Sequence, residues 1–371
     1  MRVGILTGGG DCPGLNAVVR ATAKSLMLEY NAEIIGVEEG FLGLIERRTR
    51  PLSYRDVSGI IAQGGTILGT NNRANPFKYY GRGGADISDE VVAYYHELGL
   101  DALVALGGDG TMSMCYELEQ KGMKIIGVPK TIDNDLRATD RTFGFDTAVA
   151  IATDAVDRLQ TTGQAHGRVM ILETMGRYAG WIALYAGVAG GADVILIPEI
   201  PYDIADVVKT CTQRAGRQRF TVIVVAEGAM PQGGAMSVAQ VDPTSPDPIR
   251  LGGVGNVLRR AIEQHDASLE VRTTVLGHVQ RGGGPTPFDR LIATQFGAYA
   301  ASLVASGQFG RMVALQDNRL TSVPLSEVAH QTRTVPRDCL MVAAALAIGT
   351  SFGDPTLRVP LDGLGDGVVA Q

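Results

Sequence analysis

Long hydrophobic runs are missing from this chain. The longest, Leu340–Gly349, covers ten residues, about half of the roughly 20 that a helix needs to cross a bilayer. Gly180–Pro201 is broken by glycines and by Asp193, so no membrane partner is expected. Nor is there a leader pattern at the N-terminus, where Val3–Leu6 is too short and leads straight into a glycine turn. Basic runs are absent as well. The formal net charge is −6, which argues against general nucleic-acid binding. It leaves room for an anionic small substrate, because a few converging arginines set a local field whatever the global sum. Cysteine is scarce: Cys12, Cys115, Cys211 and Cys339 are scattered without metal-ligand spacing. Neither a zinc site nor a disulfide framework is expected, and a reduced, cytoplasmic setting is the default expectation.

What the chain has in excess is glycine, 48 of 371 residues, about 13% against an ordinary 7% or so. That suits loops that approach phosphate closely. At 371 residues, with 45% hydrophobic and 19% charged residues, the chain is an ordinary globular one with room for two domains. Apolar runs alternate with amphipathic stretches, the mark of a parallel sheet covered by helices. Candidate strands are Val3–Leu6, Glu33–Val37, Ala102–Ala105, Lys124–Val128, Arg168–Leu172, Val194–Ile197, Thr221–Val225 and Thr273–Leu276. Candidate helices are Leu15–Tyr30 and Phe145–Leu159, each with its apolar residues close to one face. Gln232–Gly253, with its Gly-Gly pair and prolines, reads as a surface excursion. Two α/β domains facing each other across a cleft are expected, one for a phosphoryl donor and one for its acceptor.

Three carboxylates carry the chemical argument. Asp133 and Asp135 stand two apart in Gly127–Asp135, just after an apolar strand; Asp109 stands in Gly107-Gly108-Asp109-Gly110-Thr111, also at a strand end. Carboxylates at strand ends beside glycine turns suit magnesium-assisted phosphoryl transfer, with Asp109 and Asp135 on the metal and Asp133 as base. Seen alone, Asp133-Asn134 also fits a solvated Asx-turn. A first glycine turn, Thr7–Asn16, joins strand to helix and forms an anion site or simply a tight turn. It is not a Walker loop, since Leu15-Asn16 replaces Lys-Ser/Thr, and not a dinucleotide fingerprint, since Pro13 holds the third glycine position. Arginines and histidines cluster later, in His166-Gly167-Arg168, Met175–Tyr178 and Arg272…His278…Arg281. Arginine suits phosphate because its fork binds bidentately.

Together these segments resemble the phosphofructokinase family: TGGGDCPGLNAVVR at the start, GFLGL at 40–44, QGGTILGTNNR at 63–73, GGDGT at 107–111 and PKTIDND at 129–135. MGRYAGW at 175–181, GGAD…IPE at 190–199, AEG at 226–228 and VLGHVQRGG at 275–283 continue the match to about residue 315. The resemblance implies two Rossmann-like three-layer α/β domains with mostly parallel sheets and an active-site cleft between them. Residues 1–144 plus about 280–330 would form the donor domain, and 145–279 plus about 331–371 the sugar-phosphate domain. It implies phosphoryl transfer from ATP to the 1-hydroxyl of fructose 6-phosphate, with Mg2+, and Asp133 as catalytic base beside Thr131 and Arg177. Asp109 and Asp135 would hold the metal. Gly10, Arg73, Gly108, Gly110, Thr111 and Lys130 would line the donor site. Thr131, Met175, Gly176 and Glu227 would touch the sugar, and Arg272, His278 and Arg281 its 6-phosphate. Arg168 and Arg272 would reach in from a neighbouring subunit, which implies a homo-oligomer, dimer or tetramer, with shared active sites.

Two positions report the donor in this family. ATP users carry glycine at both; pyrophosphate users carry an aspartate and a lysine. This chain has Gly110 and Lys130, a hybrid. Glycine leaves the volume of the α-phosphate open, so ATP is favoured and pyrophosphate is the alternative. Another sugar phosphate, such as sedoheptulose 7-phosphate or tagatose 6-phosphate, would also fit, and a silent regulatory subunit is the remote alternative. At the family's effector site Arg20 and Lys24 keep charge, but Gln63, Gln160 and Gln218 replace cations, so little control by ADP or phosphoenolpyruvate is expected. The tail beyond about Leu320 matches no motif, although Leu340–Ala347 could pack as a helix on the second domain.

Overall fold

Strands buried on both faces read as unbroken apolar runs, because helices cover the sheet on either side. In the computed structural model, which describes residues 1–216, 220–241 and 249–361, such runs form the middle of two sheets. The chain divides into two compact units. The described residues of the first are 1–147 and 281–332; those of the second are 148–216, 220–241, 249–280 and 333–361.

Strands of the first unit are β1 (Arg2–Thr7), β2 (Glu33–Val37), β3 (Thr49–Leu52), β4 (Ala102–Gly107), β5 (Ile125–Thr131) and the short β6 (Phe143–Gly144). The second unit follows with β7 (Val169–Thr174), β8 (Val194–Leu196), β9 (Thr221–Ala226), β10 (Val238–Val241), β11 (Ile249–Leu251) and β12 (Val271–Val275). The chain then returns to the first for β13 (Arg311–Gln316) and β14 (Arg319–Pro324). The helices are α1 (Leu15–Tyr30), α2 (Phe41–Ile45), α3 (Ser88–Glu97), α4 (Asp109–Gln120), α5 (Phe145–His166), α6 (Trp181–Ala189), α7 (Ile204–Ala215), α8 (Val254–His265), α9 (Pro287–Ala305) and α10 (Leu340–Ala347).

The first sheet runs β14-β13-β5-β4-β1-β2-β3, with β6 paired to the end of β5. Its middle is parallel, and its two edges, β3 on β2 and β14 on β13, are antiparallel. After β1 the chain goes to β2 on one side and later to β4 on the other, so the strand order reverses between β1 and β4. In open α/β sheets ligands bind outside the carboxyl ends of the strands at such a point. The register sets Thr7 beside Leu106 and Gly107 beside Pro129. The turns leaving β1, β4 and β5 therefore share one edge. The second sheet, β12-β7-β9-β8, is wholly parallel.

Several differences from the sequence reading have physical causes. β5 runs on through Thr131 rather than ending at Val128, because β6 gives Lys130 and Thr131 new partners, Phe143 and Gly144. α5 extends to His166, and β13 and β14 form strands where no element was foreseen. The excursion at Gln232–Gly253 contains the exposed ribbon β10–β11, with 242–248 outside the described residues. α10 packs on α6 in the second unit, while 362–371 and Gln218 also lie outside the described residues. Of the other effector-site positions, Lys24 stacks its ammonium 3.9 Å from the Tyr54 ring centre and Gln160 donates to the Gly190 carbonyl.

Two buried carboxylates hold helix starts across the fold. Asp289 accepts from the Gly144 and Thr147 backbone N–H groups at 2.9 and 2.8 Å and from the Thr147 hydroxyl at 2.5 Å, capping α5. Burial pushes its carboxyl up to about 6. Glu173, on β7, accepts from Gly253 and Gly255 N–H at 2.8 Å each and caps α8. Such charges complement the positive end of a helix. α1 packs along α9 so closely that a Cβ on Gly297 would lie 2.8 Å from the Val18 carbonyl. Among the described residues no helix is long and apolar enough to cross a membrane.

Candidate active site

The turn after β1 is fixed from both sides. Gly8 N–H bonds the Leu106 carbonyl at 2.8 Å and Gly9 N–H the Asn71 carbonyl at 3.2 Å. Gly8 has to be glycine, since a Cβ there would sit 2.8 Å from Thr111 Oγ1. The next three carbonyls are each held by a side chain. Gly9 O accepts from Thr70 Oγ1 at 2.5 Å, Gly10 O from Lys130 Nζ, and Asp11 O from Arg281 Nη1 at 3.1 Å. Lys130 is only 4% exposed. Burial pushes its pKa below the ordinary lysine value; Cys12, Asp133 and Asp109 act against that and Arg281 with it. The neighbouring Cys12 thiol is pushed up to about 12 by burial and donates to the Phe143 carbonyl at 3.6 Å.

The turn after β4 puts Asp109 on the first residue of α4. Thr111 is buried and Gly110 exposed. These glycines differ in why they are glycine. A Cβ on Gly107 would fall 2.2 Å from Thr111 Cβ, whereas one on Gly110 would meet nothing within 4 Å. Gly108 lies beside the end of β5, its Cβ position 3.4 Å from the Lys130 carbonyl. After β5, Asp133 N–H donates to Thr131 Oγ1 at 3.0 Å. Asn134 takes a left-handed φ of 51°, and its Oδ1 accepts from Thr142 N–H at 3.0 Å. The Thr142 hydroxyl closes the turn on the Thr131 carbonyl at 2.8 Å. The turn leaves Asp133 and Asp135 just 7% and 5% exposed. Arg73 stacks on Tyr80 at 5.0 Å, with its N–H on Asn71 Oδ1 at 2.8 Å.

The first unit thus gathers Gly10, Gly108, Asp109, Thr111, Lys130, Thr131 and Asp133 at one sheet edge. Arg281 joins them. It follows His278 by three residues, the chain passes from the second unit to the first between Gln280 and Arg281, and its guanidinium donates to the Asp11 carbonyl of the glycine turn. Thr70 and Thr142 were not foreseen. Their roles depend on turns brought to them by folding, and a lone threonine gives no local signal.

In the second unit the ends of β7 and β9 lie side by side, with Thr174 beside Ala226. Met175, Gly176 and Arg177 follow the first and Glu227 the second. Glu227 Oε1 accepts from Arg177 N–H at 2.9 Å, and Arg177 takes a left-handed φ of 55°. Gly228 must lack a side chain, since a Cβ would meet the Arg177 carbonyl at 2.2 Å. His278 is exposed on the short turn after β12. Arg168 and Arg272 are elsewhere. Both pair with Glu270, Arg168 at 2.9 Å, and Arg168 foremost holds that carboxyl below its usual range. They stand at the starts of β7 and β12. Seven residues of extended chain from Arg168 to Met175 rise about 23 Å.

Among the described residues, no three His, Cys, Asp or Glu side chains cluster as a metal cage. Asp109 and Asp135 still suit magnesium, which takes one or two carboxylates together with substrate phosphates rather than an all-protein shell. Asp109 opens α4 at the end of β4, whose Leu106 stands beside Thr7 at the end of β1.

A family model described as phosphofructokinase matches residues 2–304. The chain is 49% identical over 361 residues to the ATP-dependent 6-phosphofructokinase 2 of Clostridium perfringens, covering 95% of this chain and 98% of that one. It is also 49% identical over 336 residues to the pyrophosphate–fructose 6-phosphate 1-phosphotransferase of Amycolatopsis methanolica, covering 91% and 96%. Among solved structures, Pichia pastoris phosphofructokinase matches with a TM-score of 0.75 and 31% identity, over 88% of this chain and 35% of that longer one.

Proposed function

The chain belongs to the phosphofructokinase family, and we propose that it transfers the terminal phosphoryl group of ATP to the 1-hydroxyl of fructose 6-phosphate. The observation that carries ATP over pyrophosphate is the open space at Gly110, where a Cβ would meet nothing within 4 Å. The position is glycine without any demand from backbone or packing, which leaves volume for the rest of a nucleotide.

Asp133 takes the proton of the 1-hydroxyl as the new O–P bond forms and the bond to ADP breaks. Its turn, closed by Thr142 on Thr131 and Asn134, fixes the carboxylate, and Thr131 lies beside it. Arg177, tied through its backbone to Glu227, offsets charge on the transferring group. The amides of Gly10 and Gly108, with Arg73 and Thr111, hold the donor phosphates in the first unit. Met175, Gly176 and Glu227 hold the sugar and His278 its 6-phosphate in the second. Asp109 and Asp135 would hold Mg2+, which would supply positive charge to offset that of the donor phosphates.

Arg168 stands about 23 Å of strand from Met175, and Arg272, level with Met170, about 17 Å, both far beyond the reach of a side chain. We assign them to the sugar phosphate of a partner subunit, which makes the active form a homo-oligomer. Four free buried cysteines and phosphorylated metabolites as substrates fit a cytoplasmic setting.

Pyrophosphate is the second reading, favoured by a relative of that name at equal identity. The test is fructose 1,6-bisphosphate formation with magnesium, ATP and pyrophosphate in parallel. Turnover with ATP supports the first reading. Turnover with pyrophosphate alone overturns it, and no turnover with either overturns both.

A further inference from the structure

Three consecutive carbonyls of the glycine turn are each gripped by a side chain from another part of the first unit: Gly9 by Thr70, Gly10 by Lys130 and Asp11 by Arg281. A trans peptide points its C=O and the following N–H in opposite directions, and the described chain has no cis peptide. Holding those three oxygens therefore turns the N–H groups of Gly10, Asp11 and Cys12 to the other side. Among the described residues no backbone carbonyl accepts from any of the three, whereas the preceding amides of Gly8 and Gly9 are both bonded. Gly9 adopts φ 77°, the left-handed step by which successive amides converge into an anion-binding concavity.

We propose that Thr70, Lys130 and Arg281 are positioning residues that aim the amides of Gly10, Asp11 and Cys12 at the phosphates of the donor. This rests on the reading of the turn as a donor site. Lys130 is 4% exposed and spends a hydrogen bond on the Gly10 carbonyl, so its charge stands behind the turn. Arg281 stands there too, its Nη1 3.0 Å from where a Cβ of Gly10 would be. Two positive charges at the back of a peptide turn also polarise it and raise the potential at its amide face. Every donor with a diphosphate end meets that face, so the device serves ATP and pyrophosphate alike.

Thr70→Val keeps the shape and removes the hydroxyl; Lys130→Met keeps length and removes the donor. ATP affinity is measured by calorimetry, and the KM values for donor and sugar are measured separately. Thr70→Val is expected to weaken ATP about fivefold to tenfold, the worth of one hydrogen bond. Lys130→Met is expected to weaken it about tenfold to a hundredfold. Sugar KM stays within about twofold, melting temperatures hold, and Thr70→Ser restores binding. The double variant loses less than the product of the single losses, because both act on one turn. A folded Thr70→Val with wild-type ATP affinity overturns the proposal, and so does a strictly multiplicative double variant, which means that Lys130 touches phosphate directly. Loss of ATP affinity in the variants of a wild type that binds ATP but forms no bisphosphate supports the positioning role and sinks the catalytic reading. Normal turnover with unchanged affinities does the reverse.

Discussion

Replacing Gly110 by aspartate tests donor choice at a single atom's remove from the fold. The position is suited to it. Gly8 and Gly107 cannot be substituted without striking Thr111, at 2.8 and 2.2 Å, but a Cβ on Gly110 meets nothing within 4 Å. The variant should therefore fold with an unchanged melting temperature. The new carboxylate would stand beside a nucleotide's α-phosphate. Two like unit charges about 5 Å apart at an effective dielectric constant of about 20 repel by roughly 3 kcal/mol. That corresponds to a loss of about 150-fold in kcat/KM for ATP.

Pyrophosphate has no α-phosphate to repel. With Lys130 already in place, Gly110→Asp completes the pair of residues that pyrophosphate users carry, so use of that donor should hold or rise. Bisphosphate formation is followed by a coupled assay with each donor, and Gly110→Ala serves as the control. The control should keep ATP turnover within about fivefold, because the added methyl meets open space. The reasoning fails if the aspartate variant uses ATP within about threefold of wild type. It fails equally if alanine costs as much as aspartate, since the loss would then come from the backbone rather than from charge.

Asp133→Asn should lower kcat about a hundredfold to ten-thousandfold, the usual worth of a positioned base, with sugar KM nearly unchanged; a kcat within tenfold of wild type would remove it as base. Arg272→Ala and Asp133→Asn, each inactive alone, should recover about a quarter of wild-type activity when unfolded and reassembled together, since half the dimers are hybrids with one intact shared site. No recovery would place Arg272 in its own chain's site. The Asp289 carboxyl, pushed up to about 6 from 3.8, keeps a proton in the folded chain that the unfolded chain has released. Stability should fall as pH rises through that window, by about 3 kcal/mol from this group, and Asp289→Asn should flatten the slope in urea unfolding at pH 4.5 and 7. Asp193 and Glu199, also raised by burial, leave a residual slope, so an unchanged slope in the variant is the refuting result.

The central strands and α1 were legible because burial on both faces demands continuous apolar runs, and Leu15–Tyr30 is a single amphipathic stretch. β13 and β14 were not foreseen; β14 is an antiparallel edge strand, exposed at Arg319 and Leu320, without the dense apolar run of a central strand. Asp109 was singled out by its glycine turn, and Asp133 and Asp135 by standing two apart just after an apolar strand. Asp289 and Glu173 were not, because a side chain that caps a helix far along the chain leaves no local pattern. Arg281, whose guanidinium donates to the Asp11 carbonyl, is a related case. It is three residues from His278 in sequence, yet the boundary between the units falls immediately before it, and spacing along a chain carries no record of such a boundary.

The hybrid of Gly110 and Lys130 then has a physical sense. A lysine on the exposed face of the donor site would discriminate among donors by touching their phosphates. This one is buried, with its ammonium on the Gly10 carbonyl and its pKa pushed down by burial, so its effect reaches every donor through the same amides. On the proposed reading donor choice is left to position 110, where a Cβ would meet nothing within 4 Å and the residue present is the smallest. On that division of labour a change of donor needs no change in the turn.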